Sequence, residues 1–201
     1  MADIAIPKNS SMNRDALQFY RDEGYAMDEL EPGSRCYRQE VGEDSFYLMK
    51  AQDIPSAVYS GKVDEGVTGF DILLDYACRE DIPLSASSFE KLGFAEADIV
   101  LASPSGGLPD SGPVTVATSY PGLAENYLRG RYEQIDVREK MGSVELFPCF
   151  EDIDGILEVK ETGNTLEKND LEVVEKVLGD GTEAVRLKNP EGQRRDRELE
   201  K

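Results

Sequence analysis

A short polar turn in the last third of the chain has the residue types of a phosphate-binding loop. Residues 162–165 are Thr-Gly-Asn-Thr, and they follow an apolar segment with the spacing of a strand, residues 153–159. Thr162 and Thr165 could donate hydroxyl hydrogen bonds, and Gly163 would let the backbone approach a ligand closely. A helix beginning at such a turn directs backbone N–H groups and its dipole towards one anion. The turn therefore predicts a phosphate site, with a purely structural strand-turn-helix as the alternative.

Two glutamates before the turn indicate what the phosphate would belong to. Glu158 and Glu161 are placed to reach ribose hydroxyls or a Mg²⁺ ion. Carboxylates beside a phosphate cradle favour a phosphorylated sugar over inorganic phosphate. The helix after the turn is predicted over residues 166–178 from apolar residues at helical spacing: Leu166, Leu171, Val173, Val174, Val177 and Leu178.

The composition excludes several kinds of active site. The chain of 201 residues has no histidine, so it cannot build a Ser-His-Asp site, a Cys-His site or a histidine metal site by itself. A general base, if one is needed, must therefore be a carboxylate, or the reaction must need little proton transfer. The three cysteines, Cys36, Cys78 and Cys149, are far apart and odd in number, which predicts free thiols rather than disulfides or a zinc site.

The net charge limits the partners. The chain has 22 Lys plus Arg against 41 Asp plus Glu, a net charge of −19, with the acids spread along its length. Such a surface repels nucleic acid and anionic membranes, and also a phosphorylated substrate unless basic residues gather at the site. Neither a signal peptide nor an apolar run of about 20 residues is recognisable, so we expect a cytoplasmic protein. The acidic surface suggests a halophilic source as a hypothesis.

Predicted strands and helices alternate along the chain, which indicates an α/β fold with mostly parallel sheets. Ligands in such folds bind at the carboxyl ends of strands, and three strand-end loops carry polar residues, at 8–11, 68–71 and 161–165. A turn-rich break near residues 88–96 suggests a second lobe. Strands are predicted at 3–7, 35–41, 45–50, 63–68, 97–102, 114–117, 134–138, 153–159 and 183–187, and helices at 13–23, 52–60, 70–78, 119–129, 144–150 and 166–178.

Seven stretches together resemble one known family. They are residues 4–8, 51–55, 66–71, 92–94, 116–121, 142–146 and 162–166, followed by Asn169 and Leu171. In this order and at near-family spacing, they resemble the short form of ATP phosphoribosyltransferase, the first enzyme of histidine biosynthesis. The resemblance extends over residues 3–187.

The resemblance implies a fold and a reaction. The fold would have two α/β lobes with flanking helices, like type II periplasmic binding proteins, with the ligand in a cleft between the lobes. Lobe I would be residues 1–90 plus 178–201, and lobe II, residues 91–177, would carry the phosphate turn. The substrates would be ATP and 5-phosphoribosyl-1-pyrophosphate (PRPP), with Mg²⁺. Because the attacking adenine N1 carries no proton, the reaction suits a site without histidine.

The resemblance also implies a role for each site residue. The turn, Thr162, Gly163, Asn164 and Thr165, would hold the ribose 5-phosphate, while Glu158 and Glu161 would lie near the ribose hydroxyls or Mg²⁺. The catalytic cations would be Lys8, Arg35 and Lys50, the last two stabilising the leaving pyrophosphate. Thr68, Gly69 and Asp71 would line the cleft, with Glu145 nearby. Mg²⁺ would be held through PRPP, with Glu158 as the candidate protein ligand. The resemblance further implies a homodimer and a separate regulatory subunit resembling a histidyl-tRNA synthetase.

The sequence departs from the family at several of these positions. Residues 9–11 are Asn-Ser-Ser, Lys50 replaces a common arginine, Glu158 replaces an aspartate, and Lys160 replaces an apolar residue. Two alternatives therefore stay open: a PRPP-dependent phosphoribosyltransferase with another nucleobase-like acceptor, and a non-catalytic module that binds a phosphoribosyl ligand. Structural alternatives also stay open for single residues. Lys8 could be a solvated loop lysine, Arg35 could form a surface salt bridge, and Asp71 and Glu145 could be acids at helix beginnings.

Overall fold

The structure is a computed structural model that describes residues 1–8, 11–27, 37–85, 88–160 and 164–189. Its strands are β1 Asp3–Pro7, β2 Arg38–Val41, β3 Asp44–Met49, β4 Glu65–Gly69, β5 Phe89–Lys91, β6 Asp98–Ser103, β7 Pro113–Thr118, β8 Gln134–Glu139, β9 Gly155–Lys160, β10 Glu172–Lys176 and β11 Ala184–Lys188. Its α-helices are α1 Ser11–Asp22, α2 Ile54–Tyr59, α3 Phe70–Arg79, α4 Pro121–Leu128 and α5 Asn164–Lys168, with 3₁₀ turns at Ala51–Asp53 and Val144–Cys149.

The chain divides into two compact units. The first contains Met1–Leu73, Pro83–Ala95 and the residues from Glu183 onwards, and the second contains Leu74–Ile82 and Glu96–Thr182. Helix α3 therefore begins in the first unit and ends in the second. The chain also crosses between units near Ala95 and Thr182, close to the lobe limits predicted after residues 90 and 177.

The first unit contains a six-stranded sheet in the order β2-β3-β1-β4-β11-β5. Its centre, β3-β1-β4, is parallel, and the remaining pairs are antiparallel. Helices cover both faces of this sheet. Alternate residues of β1 point to opposite faces, so they pack against different helices. Ile4 and Ile6 pack against α1, whereas Ala5 packs with residues of α2.

The second unit contains a five-stranded sheet in the order β10-β6-β9-β7-β8. Strands β9, β7 and β8 are parallel, while β6 is antiparallel to both β9 and β10. On one face Ile99 and Leu101 pack with residues of α4. On the other face Val100 and Ala102 pack with Val144 and with Leu166 of α5.

Two sheets with flanking helices confirm the predicted α/β class, but the pairing corrects one detail. Four of the nine strand pairs in the described ranges are parallel and five are antiparallel, so the sheets are mixed rather than mostly parallel. The parallel pairs occupy the centre of the first sheet and one side of the second. No helix in the described ranges is long and apolar enough to cross a membrane.

The helix predicted over residues 166–178 is wrong beyond Lys168. Helix α5 ends there, Asp170 takes a left-handed conformation with φ of 55°, and the Leu171 N–H donates to the Leu166 carbonyl at 3.0 Å. Strand β10 follows and pairs antiparallel with β6. Its β-branched pair, Val173 and Val174, suits a strand, and the apolar positions that matched a helical period do not separate the two structures over so short a segment.

Candidate functional site

The parallel strands of the second unit end at one edge of the sheet, and a cavity lies at that edge. Because β9, β7 and β8 run in the same direction, the loops after Thr118 and Glu139 and the end of β9 at Lys160 lie on that edge. The cavity has a volume of about 410 Å³. We call it the strand-end cavity; it is lined by Ser119, Tyr120, Gly142, Ser143, Val144, Glu145, Glu158, Val159, Lys160, Thr165 and Leu166.

Thr118 joins the three strand ends beneath the cavity. Its side chain is fully buried, and its hydroxyl donates to the Leu157 carbonyl of β9 at 2.6 Å and accepts from the Tyr120 N–H at 2.9 Å. Its carbonyl accepts a hydrogen bond from the Lys140 N–H, just after β8, at 2.9 Å. A small β-branched residue at the end of β7 therefore links the ends of β7, β9 and β8.

Glu158 presents a carboxylate at the cavity wall. One of its oxygens accepts from the Ser119 hydroxyl at 2.6 Å, and the other from the Val159 N–H at 2.9 Å. The side chain is half-buried. Hydrogen bonds of this kind to a charged acceptor are short and strong, so Ser119 sets the direction in which the carboxylate faces.

The loop after β8 reaches the cavity through a left-handed turn. Gly142 and Ser143 both have positive φ, 76° and 49°. Glycine adopts this conformation without strain, whereas a serine there costs conformational energy that the surrounding structure must offset. The turn buries Val144, which is 1% exposed, and leaves Glu145 half-buried on the cavity lining.

The predicted phosphate turn is only partly within the described residues. Thr165 is exposed and lines the cavity, anchored by Leu166, which is 5% exposed. Glu161, Thr162, Gly163 and the side chain of Asn164 lie outside the described residues. Glu158 and Thr165, which were predicted from one strand-turn-helix segment, and Glu145, which was predicted from another, come together on this cavity.

The charges on the lining are mixed. Glu145 and Glu158 are acidic, and Lys160 is the one basic side chain among the described lining residues. Two further cations at the end of β8 are ion-paired: Lys140 contacts Glu151 at 2.6 Å, and Arg138 contacts it at 3.4 Å. The hydrogen bond from Lys140 lowers the pKa of Glu151, and the charge of Arg138 adds to the effect. Those cations are therefore held by the protein's own acids.

Two predicted cations lie at the same sheet edge in the first unit. Strands β1 and β3 are parallel with Pro7 opposite Met49, so Lys8 and Lys50 follow them at the same sheet edge. The Lys8 N–H donates to the Met49 carbonyl at 2.9 Å, and its ammonium lies 4.6 Å from the centre of the Tyr37 ring. Lys50 is exposed. Arg35 lies outside the described residues.

Thr68, Gly69 and Asp71 end the neighbouring parallel strand β4 and begin α3. Thr68 is fully buried, and its hydroxyl donates to the Ala51 carbonyl at 2.9 Å, which ties β4 to the residues after Lys50. A side chain at Gly69 would collide with the Asp71 carboxylate, which is itself 7% exposed. Thr68 and Asp71 are therefore packed within the fold at this edge, beside the lysines.

The described residues suit Mg²⁺ only as an ion that is shared with the phosphate oxygens of a substrate. They contain no group of three or more Asp, Glu, Cys or His side chains that could hold a metal. Mg²⁺ commonly keeps several waters and binds one or two carboxylates together with phosphate oxygens of a substrate. Glu158, a single carboxylate with both oxygens already hydrogen-bonded, fits that second arrangement rather than a site made of protein alone.

Sequence reasoning did not select several residues that line the cavity. They are Ser119, Tyr120, Gly142 and Ser143, while Lys160 was noted only as a departure from the family. A signal was present in the sequence, since Ser119 and Gly142 both follow closely on predicted strands. Their convergence depended on β7, β8 and β9 being neighbours in one sheet, which no local pattern reveals.

Comparison with protein families gives one match over most of the chain. Residues 50–201 match the model described as "HisG: ATP phosphoribosyltransferase". The ATP phosphoribosyltransferase of Methanothermobacter thermautotrophicus is 28% identical over 180 residues, 87% of this chain and 61% of that protein. The one of Caldanaerobacter subterraneus subsp. tengcongensis is 33% identical over 182 residues, 89% of this chain and 83% of that protein. The chain thus spans less than two thirds of the first relative and most of the second.

Solved structures show the same fold. The chain is similar to the ATP phosphoribosyl transferase (HisG:HisZ) complex from Thermotoga maritima, with a TM-score of 0.79, 24% identity, and coverage of 99% of this chain and 92% of that chain. It is also similar to the alkanesulfonate-binding protein SsuA from Xanthomonas axonopodis pv. citri, with a TM-score of 0.53, 12% identity, and coverage of 96% and 67%. The second match bears out the predicted likeness to periplasmic binding proteins.

Proposed function

We propose that this chain, which belongs to the ATP phosphoribosyltransferase family, transfers the phosphoribosyl group of PRPP to N1 of ATP and releases pyrophosphate. This reaction is the first step of histidine biosynthesis. One observation carries the proposal: the family match covers residues 50–201 and therefore includes every residue that lines the strand-end cavity.

The chemistry suits a chain without histidine. The nucleophile is a ring nitrogen that carries no proton, so the protein need not supply a strong base. What it must supply is alignment of the nitrogen with the ribose C1 and stabilisation of the charge that develops on the leaving pyrophosphate. A cavity wall that holds a few charged side chains in fixed positions would meet both requirements.

In the second unit, the strand-end cavity would bind the phosphoribosyl part of PRPP. The 5-phosphate would be held by the turn of Thr162, Gly163, Asn164 and Thr165. Glu158, with its direction set by Ser119, would accept hydrogen bonds from the ribose hydroxyls, together with Glu161. Lys160 is the basic side chain among the described lining residues that can offset the negative charge of the ligand.

In the first unit, the cations at the sheet edge would bind phosphate groups. Lys8 and Lys50 follow adjacent parallel strands and so present two positive charges from one edge. With Arg35 they would stabilise the pyrophosphate as it leaves. Concentrating cations in this way counters the repulsion that a chain with a net charge of −19 exerts on an anionic substrate.

Mg²⁺ would accompany PRPP. It would be held mainly by the pyrophosphate oxygens, with Glu158 as the candidate protein ligand. When bound, the ion would neutralise phosphate charge and so make the pyrophosphate a better leaving group. The protein's own part is to hold the Glu158 carboxylate at the cavity wall.

We further propose a homodimeric, cytoplasmic enzyme that works with a separate regulatory subunit. The Thermotoga maritima structure of the same fold is a HisG:HisZ complex. In this chain the partner would be the regulatory subunit that resembles a histidyl-tRNA synthetase.

The decisive experiment identifies the product. The protein is mixed with ATP, PRPP and Mg²⁺, with and without a regulatory subunit, and the product is identified by mass; parallel reactions replace ATP with other nucleobases. The proposal expects phosphoribosyl-ATP and pyrophosphate. A product with another base only, or tight PRPP binding without turnover under every condition, would overturn it in favour of a different acceptor or a binding module.

Two variants test the site. Thr165→Val removes a hydroxyl from the cavity, and Arg35→Gln removes a cation assigned to the pyrophosphate; both are expected to abolish most activity while the protein stays folded. Glu167→Gln, on the same helix as Thr165, and Arg14→Gln, on α1, are matched exposed controls. Full activity in Thr165→Val and Arg35→Gln would refute the assignment of these residues.

A further inference from the structure

Helix α4 begins beside the strand-end cavity and takes its N-terminal hydrogen-bond acceptor from another helix. The residue before it, Tyr120, makes no side-chain cap, and Pro121 has no N–H to satisfy. Instead the Asp75 carboxylate of α3 accepts from the Leu123 N–H at 3.1 Å and also from the Gly122 N–H. Asp75 is 7% exposed, so this cap is formed inside the protein.

The same carboxylate is linked to the end of β8. Arg79, one turn further along α3, contacts Asp75 with Nε at 2.8 Å and Glu139, the last residue of β8, with a terminal nitrogen at 2.9 Å. One guanidinium therefore bridges the carboxylate that caps α4 and the strand that leads into residues 140–143. The fork of an arginine suits two such contacts at fixed angles.

The two helices meet without space for a side chain between them. A Cβ added at Gly122 would lie 2.6 Å from Arg79 Cγ and 2.7 Å from the Asp75 carbonyl oxygen. This close approach brings the N–H groups of the first turn of α4 within reach of Asp75. It also makes the position of α4 depend on α3 at the level of the backbone.

Asp75 and Arg79 are not among the described residues that line the cavity, but the segments they hold are. Ser119 and Tyr120 immediately precede α4, and Gly142 and Ser143 follow Glu139. Ser119 in turn donates to Glu158 at 2.6 Å. We propose that Asp75 and Arg79 are positioning residues that hold the two loops of the strand-end cavity and, through Ser119, the Glu158 carboxylate in the geometry that binds the ribose of PRPP.

The chemistry of Asp75 favours a positioning role over a purely stabilising one. Burial raises the pKa of its carboxyl, against the effect of the amide hydrogen bonds and of Arg79. A buried charge pair commonly adds little net stability compared with apolar residues of similar size, because both ions lose hydration. Fixed hydrogen-bond directions at the α4 beginning and the β8 end are what an apolar pair at these positions would not supply.

The first test measures loop order directly and does not depend on activity. Backbone hydrogen exchange is compared in the full-length wild-type protein and in Asp75→Ala, Asp75→Asn and Glu139→Ala. Faster exchange is expected in residues 119–128 for both Asp75 variants, smaller for Asp75→Asn because its amide oxygen can still accept, and in residues 140–146 for Glu139→Ala. Asp154→Ala is the matched control: its carboxylate accepts from the Thr115 N–H at 2.8 Å in the same unit, away from the cavity loops. Unchanged exchange in both loops, or the same change in the control, would overturn the proposal.

The second test uses substrate parameters and rests on the proposed function. In Asp75→Ala we expect the KM for PRPP to rise on the order of tenfold while the KM for ATP changes little, since only the ribose-binding loops lose their support. Asp154→Ala should leave both KM values unchanged. Equal rises for the two substrates, or a fall in kcat that merely follows thermal stability, would overturn the positioning role. If wild type neither binds nor consumes PRPP, the proposed function fails, and the exchange experiment still decides whether Asp75 orders the loops.

Discussion

At the scale of single residues, the strand-end cavity depends on two hydroxyl groups. Thr118 connects β7 to β9 and to the backbone at Tyr120, and Ser119 connects the next loop to Glu158. Both are small polar residues directly at a strand end, where they can bond to backbone or carboxylate without a long side chain to order. The direction of the proposed ribose-binding carboxylate is therefore set by its immediate neighbours.

Removing the Ser119 hydroxyl should weaken PRPP binding. Ser119→Ala leaves one Glu158 oxygen without its 2.6 Å partner, and a hydrogen bond to a charged group contributes about 1.5–3 kcal/mol. The expected result is a rise of about tenfold or more in the KM for PRPP. Steady-state kinetics with Ser119→Thr, which keeps the hydroxyl, and with Ser105→Ala, a distant serine of the same unit, provide the controls. An unchanged KM in Ser119→Ala would show that this contact does not serve the substrate.

Asp44 should make unfolding depend on acid pH. The hydrogen bond from the Ala2 N–H, with a further one from the Tyr25 hydroxyl, lowers the pKa of Asp44 from its usual 3.8. Because the folded pKa is the lower one, the stabilisation is present above the unfolded pKa and is lost as pH falls through the folded pKa. Urea unfolding at a series of pH values should therefore show the difference between wild type and Asp44→Asn shrinking below about pH 4. A difference that stays constant across that range would contradict the assigned pKa direction.

At the scale of elements, α3 is the helix on which the loops of the second unit depend. It supplies the acceptor for α4 and, through Arg79, the ion pair to the end of β8. Short helices such as α4 gain little from their own propensity and rely on tertiary contacts, so a cap from a neighbouring helix has a large influence on where they begin. Helices α3 and α4 approach each other closely at Gly122.

A side chain at Gly122 should separate α3 from α4. Gly122→Ala places a methyl group within 2.7 Å of the α3 backbone, and overpacking of this kind costs about 1–3 kcal/mol. We expect a lower Tm together with a raised KM for PRPP. Gly179→Ala, where nothing lies within 4 Å of an added Cβ, is the control and should leave both unchanged. If the two variants melt alike, the close approach at Gly122 has no energetic consequence.

At the scale of the whole molecule, charge is the dominant property. A net charge of −19 on 201 residues produces self-repulsion that destabilises the folded state at low ionic strength. Many of the 22 basic residues are occupied in ion pairs, such as Arg186 with Glu23 and Glu90 at 2.9 and 2.6 Å. Most of the excess acid therefore stays uncompensated except by dissolved cations.

Added salt should raise the thermal stability. Screening shortens the range of charge repulsion to about 10 Å at 0.1 M and less above that, so the Tm should climb from low salt to molar KCl. A variant with Glu43→Gln, Glu80→Gln and Glu133→Gln, three exposed positions, should show a smaller climb. A Tm that falls or stays level with salt would refute the halophilic hypothesis. The measurement is a melting curve followed by circular dichroism.

The family and the α/β class could be predicted from the sequence, and both are confirmed. Particular residues show why strands and their ends could be predicted from the sequence. Strand-end patterns such as Ile-Ala-Ile-Pro before Lys8 and Val-Thr-Gly before Phe70 depend on a few neighbouring residues, and the structure has strands ending at Pro7 and Gly69. The roles of the site residues and the lobe limits stay predictions.

The sequence by itself determined the absence of histidine, the acidic charge, and most strand and helix segments up to residue 160, with Lys8 and Lys50 at strand ends. It missed strand β5, where a turn-rich break was predicted, and the helix predicted at residues 144–150 is a 3₁₀ turn. Tertiary structure alone decided that residues 172–176 form a strand, that the sheets are mixed, and that Ser119 meets Glu158. The physical reason is the range of the interactions. Periodicity and turn chemistry act over a few residues, whereas strand neighbours, a cap supplied by Asp75 to α4, and the choice between helix and strand after Leu171 depend on contacts between segments far apart in the chain.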